Sequence, residues 1–413
     1  MRVLNIYINI NMEIGDKIIS NISGPVVCYY LKPTEKIFEI FKNYGIELPM
    51  LLLFGDVHGS SYEMCTDCEN TNGCYRIYDE NLLKLLDTLS SDKYPVDFYV
   101  ETSEELYEKY NSEEQKQHQQ PLVDLIYATE ICFKRILRDS IEYTKKCPTK
   151  NIRWHYSDPR DKKGYIEDNI HKLSKYISKS QYENIANIYY IDIIKELLIN
   201  SIDDKEKFNI SLFSKLFFNL KKNEYDKYIS LNVKQINKHL DYELKNLNKT
   251  DIWIEVLTFL ICNRIEEIKD IKDIKELILN IDNKDYMTEY KKNNNKSLVF
   301  FYKLLSNMSV SFLDLYFTLR ILKGERTQAS LVVSYLGLSH IEHIKIVFKN
   351  VFDYQIAFTV GNDTIYDKII QLSKITNINI NDLGVGRCLS FIGGVQDDIN
   401  LSRDIHLHNL KRI

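Results

Sequence analysis

The sequence predicts an α/β protein: a mainly parallel sheet flanked by helices and interrupted by a large all-helical insertion. Three observations carry this reading. Short β-like apolar runs recur at 51–54, 96–100, 152–155, 331–336 and 354–360, and the segments 80–90, 121–146 and 341–350 between them read as helices. Strands alternating with helices form βαβ units, whose strands lie parallel. Between Gly164 and Gly324 the chain has neither glycine nor proline, and all seven prolines fall in the first 160 residues. Both residue types punctuate turns and break helices, so so long a stretch without them points to helices.

Taken in order, Leu51-Leu52-Leu53-Phe54 is a strand that closes on Gly55-Asp56-Val57-His58. A helix around Leu82–Leu89 leads to Val96-Asp97-Phe98-Tyr99-Val100-Glu101, a strand ending in a carboxylate. The run Arg153-Trp154-His155-Tyr156-Ser157-Asp158-Pro159-Arg160 is another strand ending in polar groups. Within 164–325, Ile188, Ile191, Ile194, Leu197 and Leu198 mark one helical face, and Ile254, Leu257, Leu260, Ile261, Ile265 and Ile268 another. The strand Leu331–Leu336 then closes on Gly337-Leu338-Ser339-His340. The expected organisation is 1–163 as the first part of the α/β core, 164–325 as the insertion, and 326–413 as the second part with a C-terminal tail. Gly384, Gly386, Gly393 and Gly394 predict loops there, with His406 and His408 as solvated tail residues.

A chain of 413 residues buries a substantial core without structural metals or disulfides. Its net charge of −4 argues against a nucleic-acid binder built on a broad basic surface. No apolar run approaches the roughly 20 residues that span a bilayer, and the N-terminus lacks a signal-peptide layout. The expectation is a soluble protein made in the cytoplasm.

The repeated Gly-x-x-His is the feature that points to chemistry. Two such turns at strand ends bring two imidazoles to one rim of a sheet, where open α/β folds place their sites. Asp56 and His58, two residues apart in extended backbone, share one side of the strand end. A carboxylate there orients and charge-stabilises an imidazole, or both groups bind a metal. Gly-Asp-x-His-Gly also opens the calcineurin-like metallophosphoesterases, but the next strand ends in Glu101 without Gly-Asp, and Gly361-Asn362-Asp363 lacks the histidine of their later motif.

The segment Leu51–Ser60, the helix near Leu82–Leu89 and the strand ending in Glu101 resemble the start of the TIKI/TraB and erythromycin-esterase/ChaN-like superfamily. Its members show Gly-x-x-His after the first strand, a later strand ending in Glu and a second Gly-x-x-His late in the chain, the place of His340. The resemblance covers roughly 50–160 and 325–360. With its long Asn/Lys/Ile-rich insertion, the chain is similar to members encoded by giant DNA viruses. The resemblance implies a metal-assisted or His/Glu-driven hydrolase fold with His58, Glu101 and His340 at its site. Asp56 stands at the place of the usual Glu, shorter by one methylene.

Further candidates surround this set. Asp158, Arg160 and His155 are expected to bind substrate, with Arg160 clamping an anion or a developing oxyanion. The other reading of Asp158-Pro159-Arg160 is a turn closed by a local ion pair. Arg320, on a helix leading to the second motif, is a lower-ranked anion contact. His343, three residues after His340, is a second ligand or, preferentially, a helix-surface histidine. Cys65, Cys68 and Cys74 cluster just after His58. They read as structural zinc ligands, as a disulfide if the protein ends in an oxidising setting such as a particle surface, or as free thiols.

The preferred expectation is therefore a hydrolase of unknown substrate in which His58, His340, Asp56 and Glu101 hold a divalent metal or activate water directly, located in host cytoplasm or a virion. The competing expectations are a non-catalytic viral structural or host-interaction protein on an inherited hydrolase scaffold, and a calcineurin-like metallophosphoesterase with two metals.

Overall fold

The computed structural model describes residues 12–43, 47–57, 65, 68, 71–102, 120–138, 147–157, 197–202, 208–220, 311, 313–318, 320–322, 328–361, 366–367, 388–391 and 399–412. The strands are β1 Met12–Ile14, β2 Lys17–Ile19, β3 Asn21–Ser23, β4 Val27–Pro33, β5 Met50–Asp56, β6 Cys74–Arg76, β7 Val96–Val100, β8 Arg153–Tyr156, β9 Leu331–Gly337, β10 Tyr354–Gly361, β11 Cys388–Ser390 and β12 Ile399–Asn400. The helices are α1 Glu35–Asn43, α2 Glu80–Thr88, α3 Gln120–Arg138, α4 Ile210–Leu220, α5 Leu338–Asn350 and α6 Leu401–Lys411. The chain divides into two compact units, Met1–Ser157 with Gly324–Ile413, and Asp158–Lys323.

The first unit is built on a six-stranded sheet of order β10-β4-β5-β9-β7-β8. From β5 to β8 every pairing is parallel, while β4 runs against both its neighbours. The sheet is thus largely parallel, with an antiparallel strand toward one edge. β5 and β9 pair from Met50↔Leu331 to Asp56↔Gly337, although the whole second unit separates them in sequence. Every residue of β5, β7 and β9 is buried. Parallel strands covered on both faces read as continuous apolar runs for this reason.

Alternation along the strands sorts the two faces. Leu52, Phe54, Val96, Phe98, Val100, Val333, Tyr335 and Trp154 join one apolar cluster with Leu82, Leu83 and Leu86 of α2 and Leu122, Leu125 and Ile126 of α3. α5 packs on the sheet against β4, β5, β9 and β10, burying Ile341, Ile344, Val347 and Phe348.

Local signals explain the helix starts. Asp79 accepts from Asn81 N at 2.8 Å to cap α2, and Asn400 accepts from Arg403 N at 2.7 Å to cap α6. Such caps satisfy backbone donors that a helix start leaves open.

Several expectations are corrected here. β4 enters the central sheet from a segment the sequence reading left without a strand. The tail is not a solvated end: it folds as α6, and although His406 is exposed, His408 is buried with Nε2 donating to Leu48 O at 2.9 Å. Of the expected 121–146 helix, the residues through Arg138 are helical, and 139–146 lie outside the described residues. Most of the expected all-helical insertion, 164–325, lies outside the described residues. In the second unit the described parts are α4, the bridge Ile202↔Phe208, a Phe208–Phe213 ring pair at 5.8 Å, and helical residues 313–318, where Thr318 Oγ1 donates to Asp314 O. Among the described residues no helix is long and apolar enough to cross a membrane.

Candidate active-site rim

The carboxyl ends of β5, β9 and β7 lie side by side because these strands are parallel neighbours. Asp56 ends β5 and is the register partner of Gly337, which ends β9. The next residue after β7, Glu101, donates its own N–H to Tyr335 O at 3.1 Å, so its side chain starts level with that of its β9 neighbour.

β9 runs into α5 without a loop, and Gly337 serves as N-cap with extended backbone and no side chain of its own. Glu101 supplies what the glycine lacks. Its Oε2 accepts the Gly337 N–H, and its Oε1 lies 3.4 Å from His340 Nε2. A carboxylate at a helix N-terminus is favoured by the open N–H groups and the helix dipole. His340 sits on the first turn of α5, where that same carboxylate reaches it. Asp56, Glu101 and His340 are 1%, 8% and 5% exposed. Three of the four residues expected at the site are therefore brought to one rim; the fourth, His58, lies outside the described residues.

Gly55 has a packing reason. A Cβ on it would come within 2.8 Å of Val27 Cγ1 and 3.2 Å of Leu338 Cδ1. Without that atom, the Val27 and Leu338 side chains pack directly over the strand end.

The other candidates fall elsewhere. His155 faces Asp97, with Nε2 3.0 Å from Asp97 Oδ1, and stacks on Tyr99 at 4.6 Å. Arg153 completes this cluster with two hydrogen bonds to the Asp97 carboxylate. Burial pushes the Asp97 carboxyl up, but His155 and Arg153 outweigh it and hold it below the usual range. Asp158 and Arg160 lie outside the described residues, and Arg320 belongs to the second unit. His343 corrects the surface expectation: it is 2% exposed, its Nδ1 lies 2.6 Å from Ser339 O, and it meets Tyr366 edge-on.

The structure also shows groups that the sequence reading passed over. Glu342, buried on α5, accepts from Tyr29 Oη on β4 and pairs with Lys345. A glutamate between two histidines on a helix that also carries Ile341, Ile344 and Val347 was the available signal. A cavity of about 340 Å³ lined by Tyr75, Asn81, Lys84, Leu85 and Thr88 contains none of the rim residues.

The cysteine cluster takes a different form from a three-ligand zinc site. Cys65 is disulfide-bonded to Cys388 and Cys68 to Cys74, while the sulfurs of Cys65, Cys68 and Cys74 all lie within 4.8 Å of one another. The trio is compatible with a metal in its arrangement and with disulfides in its pairing. Among the described residues it is the one group of three such ligand atoms that converges this closely. A third pair, Cys132–Cys147, is buried beside Thr149.

No family model, curated protein or solved structure matches this chain.

Proposed function

We propose that the chain is a His/Glu-dependent hydrolase of the TIKI/TraB and erythromycin-esterase/ChaN-like type, of giant-virus origin, working in host cytoplasm or in a particle. The observation that carries this is the Glu101–His340 pair at the carboxyl ends of parallel strands, where open α/β sheets bind ligands. Glu101 fixes the imidazole with Nε2–H toward its carboxylate and stabilises the imidazolium that forms when His340 takes a proton from water. The Gly337 N–H holds that carboxylate in place.

In the metal-assisted form of the reaction, Asp56 and His340, with His58, supply an oxygen and nitrogen donor set suited to a divalent cation. Such an ion, when bound, lowers the pKa of water toward neutrality. The helices of 164–325 remain the proposed insertion, and Cys65, Cys68 and Cys74 proposed ligands of a structural zinc. The two-metal phosphoesterase reading rests on Gly55-Asp56-Val57-His58 alone.

Steady-state hydrolysis of chromogenic carboxyl esters and phosphoesters by wild type, His340→Ala and Glu101→Gln tests the reading. General-base loss predicts a kcat lower by about 10²–10⁴-fold in His340→Ala. A His340→Ala protein that folds normally and hydrolyses at the wild-type rate overturns it.

The low exposure of Asp56, Glu101 and His340 favours one second reading. There the chain is a viral structural or host-interaction protein, and Glu101 and His340 stabilise the start of α5 on an inherited scaffold. Particles assembled normally from a Glu101→Gln chain, together with no hydrolysis by wild type, are its expected signature.

A further inference from the structure

Cys65, Cys68 and Cys74 belong to two different disulfides, yet their sulfurs lie within 4.8 Å of one another. The fourth sulfur, that of Cys388, is one sulfur–sulfur bond from this trio through Cys65. Two disulfides have no need to sit so close; four ligands of one ion do.

Ordinary backbone structure assembles the quartet. In the small sheet β11-β3-β6, Cys388 on β11 and Cys74 on β6 flank β3, with register partners Cys388↔Ser23 and Cys74↔Asn21. Ser23 Oγ accepts the Cys65 N–H at 3.1 Å, tying the next cysteine to the same strand. Gly73 makes the tight turn that leads into Cys74: its φ is +83°, and a Cβ there would meet Ile18 O at 2.8 Å. Its carbonyl accepts from Ser20 N and Asn21 N. The scaffold therefore rests on strand pairing and a glycine turn as well as on the sulfur–sulfur bonds.

We propose that, in its reduced form, this chain binds one zinc ion through Cys65, Cys68, Cys74 and Cys388. This deepens the three-ligand zinc reading by supplying its fourth ligand and stands apart from the hydrolase rim. Zinc–thiolate bonds of about 2.3 Å in a tetrahedron put sulfurs roughly 3.8 Å apart. Cys65 already lies within 4.8 Å of the other two sulfurs, and opening the Cys68–Cys74 and Cys65–Cys388 bonds lets the bonded pairs part to that spacing. Asn21 Nδ2 already donates toward Cys388 Sγ at 3.8 Å. An N–H aimed at sulfur is the outer-shell contact that a metal-bound thiolate uses to spread its charge.

The chemistry balances. A dithiol reductant gives two electrons and two protons to each disulfide and is itself oxidised to a disulfide, leaving four thiols on the protein. Zinc then displaces four protons and is held by four thiolates. The two forms exclude each other, since a disulfide sulfur carries no thiolate. Cys132 and Cys147 lie as an isolated pair and serve as the internal control.

The test uses the full chain, reduced with a phosphine under nitrogen and titrated with zinc against a chromophoric chelator, then with cobalt. One more zinc per chain is expected in the reduced than in the disulfide-bonded protein, with the visible d–d and thiolate charge-transfer bands of tetrahedral tetrathiolate cobalt. Cys388→Ser should weaken zinc binding by about ten-fold or more and shift and weaken the cobalt bands. Cys132→Ser should change neither, and the protein with both disulfides intact, verified by non-reducing peptide mapping, should show no thiolate charge-transfer bands with cobalt. Failure of the reduced chain to take up stoichiometric zinc overturns the proposal, as does a Cys388→Ser spectrum identical to wild type. Disulfides that cannot be reduced without loss of the circular dichroism of the fold overturn it too. Hydrolysis by the rim is not a readout here, so the two proposals fail separately.

Discussion

The two ends of the parallel strands each hold a buried histidine, and the two meet opposite surroundings. At the carboxyl end His340 Nε2 lies 3.4 Å from the Glu101 carboxylate. At the amino end His408 faces the Leu48 carbonyl, beside β5. Burial, and then the cation of Arg412, push His408 down to about 4, with Lys411 and Lys32 adding to this and the Leu48 hydrogen bond opposing it. The amino end is closed by further hydrogen bonds: Met50 N to Ser330 O, Ser330 N to Pro95 O, Tyr354 Oη to Pro49 O and Arg412 Nη2 to Gln328 O. Arg412 also pairs with Glu47. Neighbours, not residue type alone, set the surroundings of a buried imidazole: His340 meets a carboxylate, whereas burial and nearby cations keep His408 neutral.

That contrast is open to attack, first where the effect is largest. Glu101→Ala strips α5 of its N-terminal acceptor and His340 of its carboxylate, and should cost about 2–4 kcal/mol in urea unfolding. Glu101→Gln, which keeps a carbonyl for Gly337 N–H, should recover most of that. Equal losses in the two variants would show that the rim carboxylate acts by packing alone.

The amino end answers to pH. His408 has a lower pKa folded than unfolded, so above pH 6.5 it is neutral in both states and its contribution is fully present. As pH falls from 6.5 to about 4 the unfolded chain takes up the proton and the folded chain does not, and stability drops by about 3 kcal/mol. His408→Gln, which can still donate to Leu48 O, should flatten this part of a pH series of thermal melts. An unchanged slope would place the acid sensitivity of this range at other groups; Asp97, whose pKa lies below the usual carboxylate range, responds only at lower pH. Burial opposes the Asp97 charge, but His155 and Arg153 hold its pKa down, so its stabilisation too is lost on acidification.

A covalent tie away from both ends gives a reference. Cys132→Ser opens a 15-residue disulfide loop and should cost up to about 3 kcal/mol without reductant and little with it. The Glu101 effect should not depend on reductant at all. Gly55→Ala should cost about 1–3 kcal/mol by forcing Val27 and Leu338 apart at the rim. The smallest effect belongs to the exposed Lys84–Glu80 pair on α2, where Lys84→Ala should change stability by about 0.3–0.5 kcal/mol.

The strands were legible because buried parallel strands leave unbroken apolar runs, and β5, β7, β9 and the neighbourhood of Glu101 and His340 follow from such runs and their polar ends. β4 was missed because Val27–Pro33 sits in the proline-punctuated N-terminal region, where its apolar run was not read as a strand. α6 was missed because its apolar periodicity is weak, and what holds it is distant: Leu48 O for His408, Lys32 for Asp404, Glu47 for Arg412. His343 looked like a surface residue, and Glu342 was passed over, because their partners, Ser339 O, Tyr366 and Tyr29, appear only once α5 lies on the sheet.

By itself, then, the sequence determined that strands and helices alternate, that carboxylates and histidines stand at strand ends, and that three cysteines sit close together in the chain. These are local facts, set by the periodicity of strand and helix and by residues a few positions apart. Only the tertiary structure decided that β5 and β9 are neighbours, that Glu101 caps a helix begun at Leu338, and that Cys388 joins Cys65. Each depends on contacts between segments far apart in the chain, and no local pattern records which distant partner a buried polar group or thiol will meet.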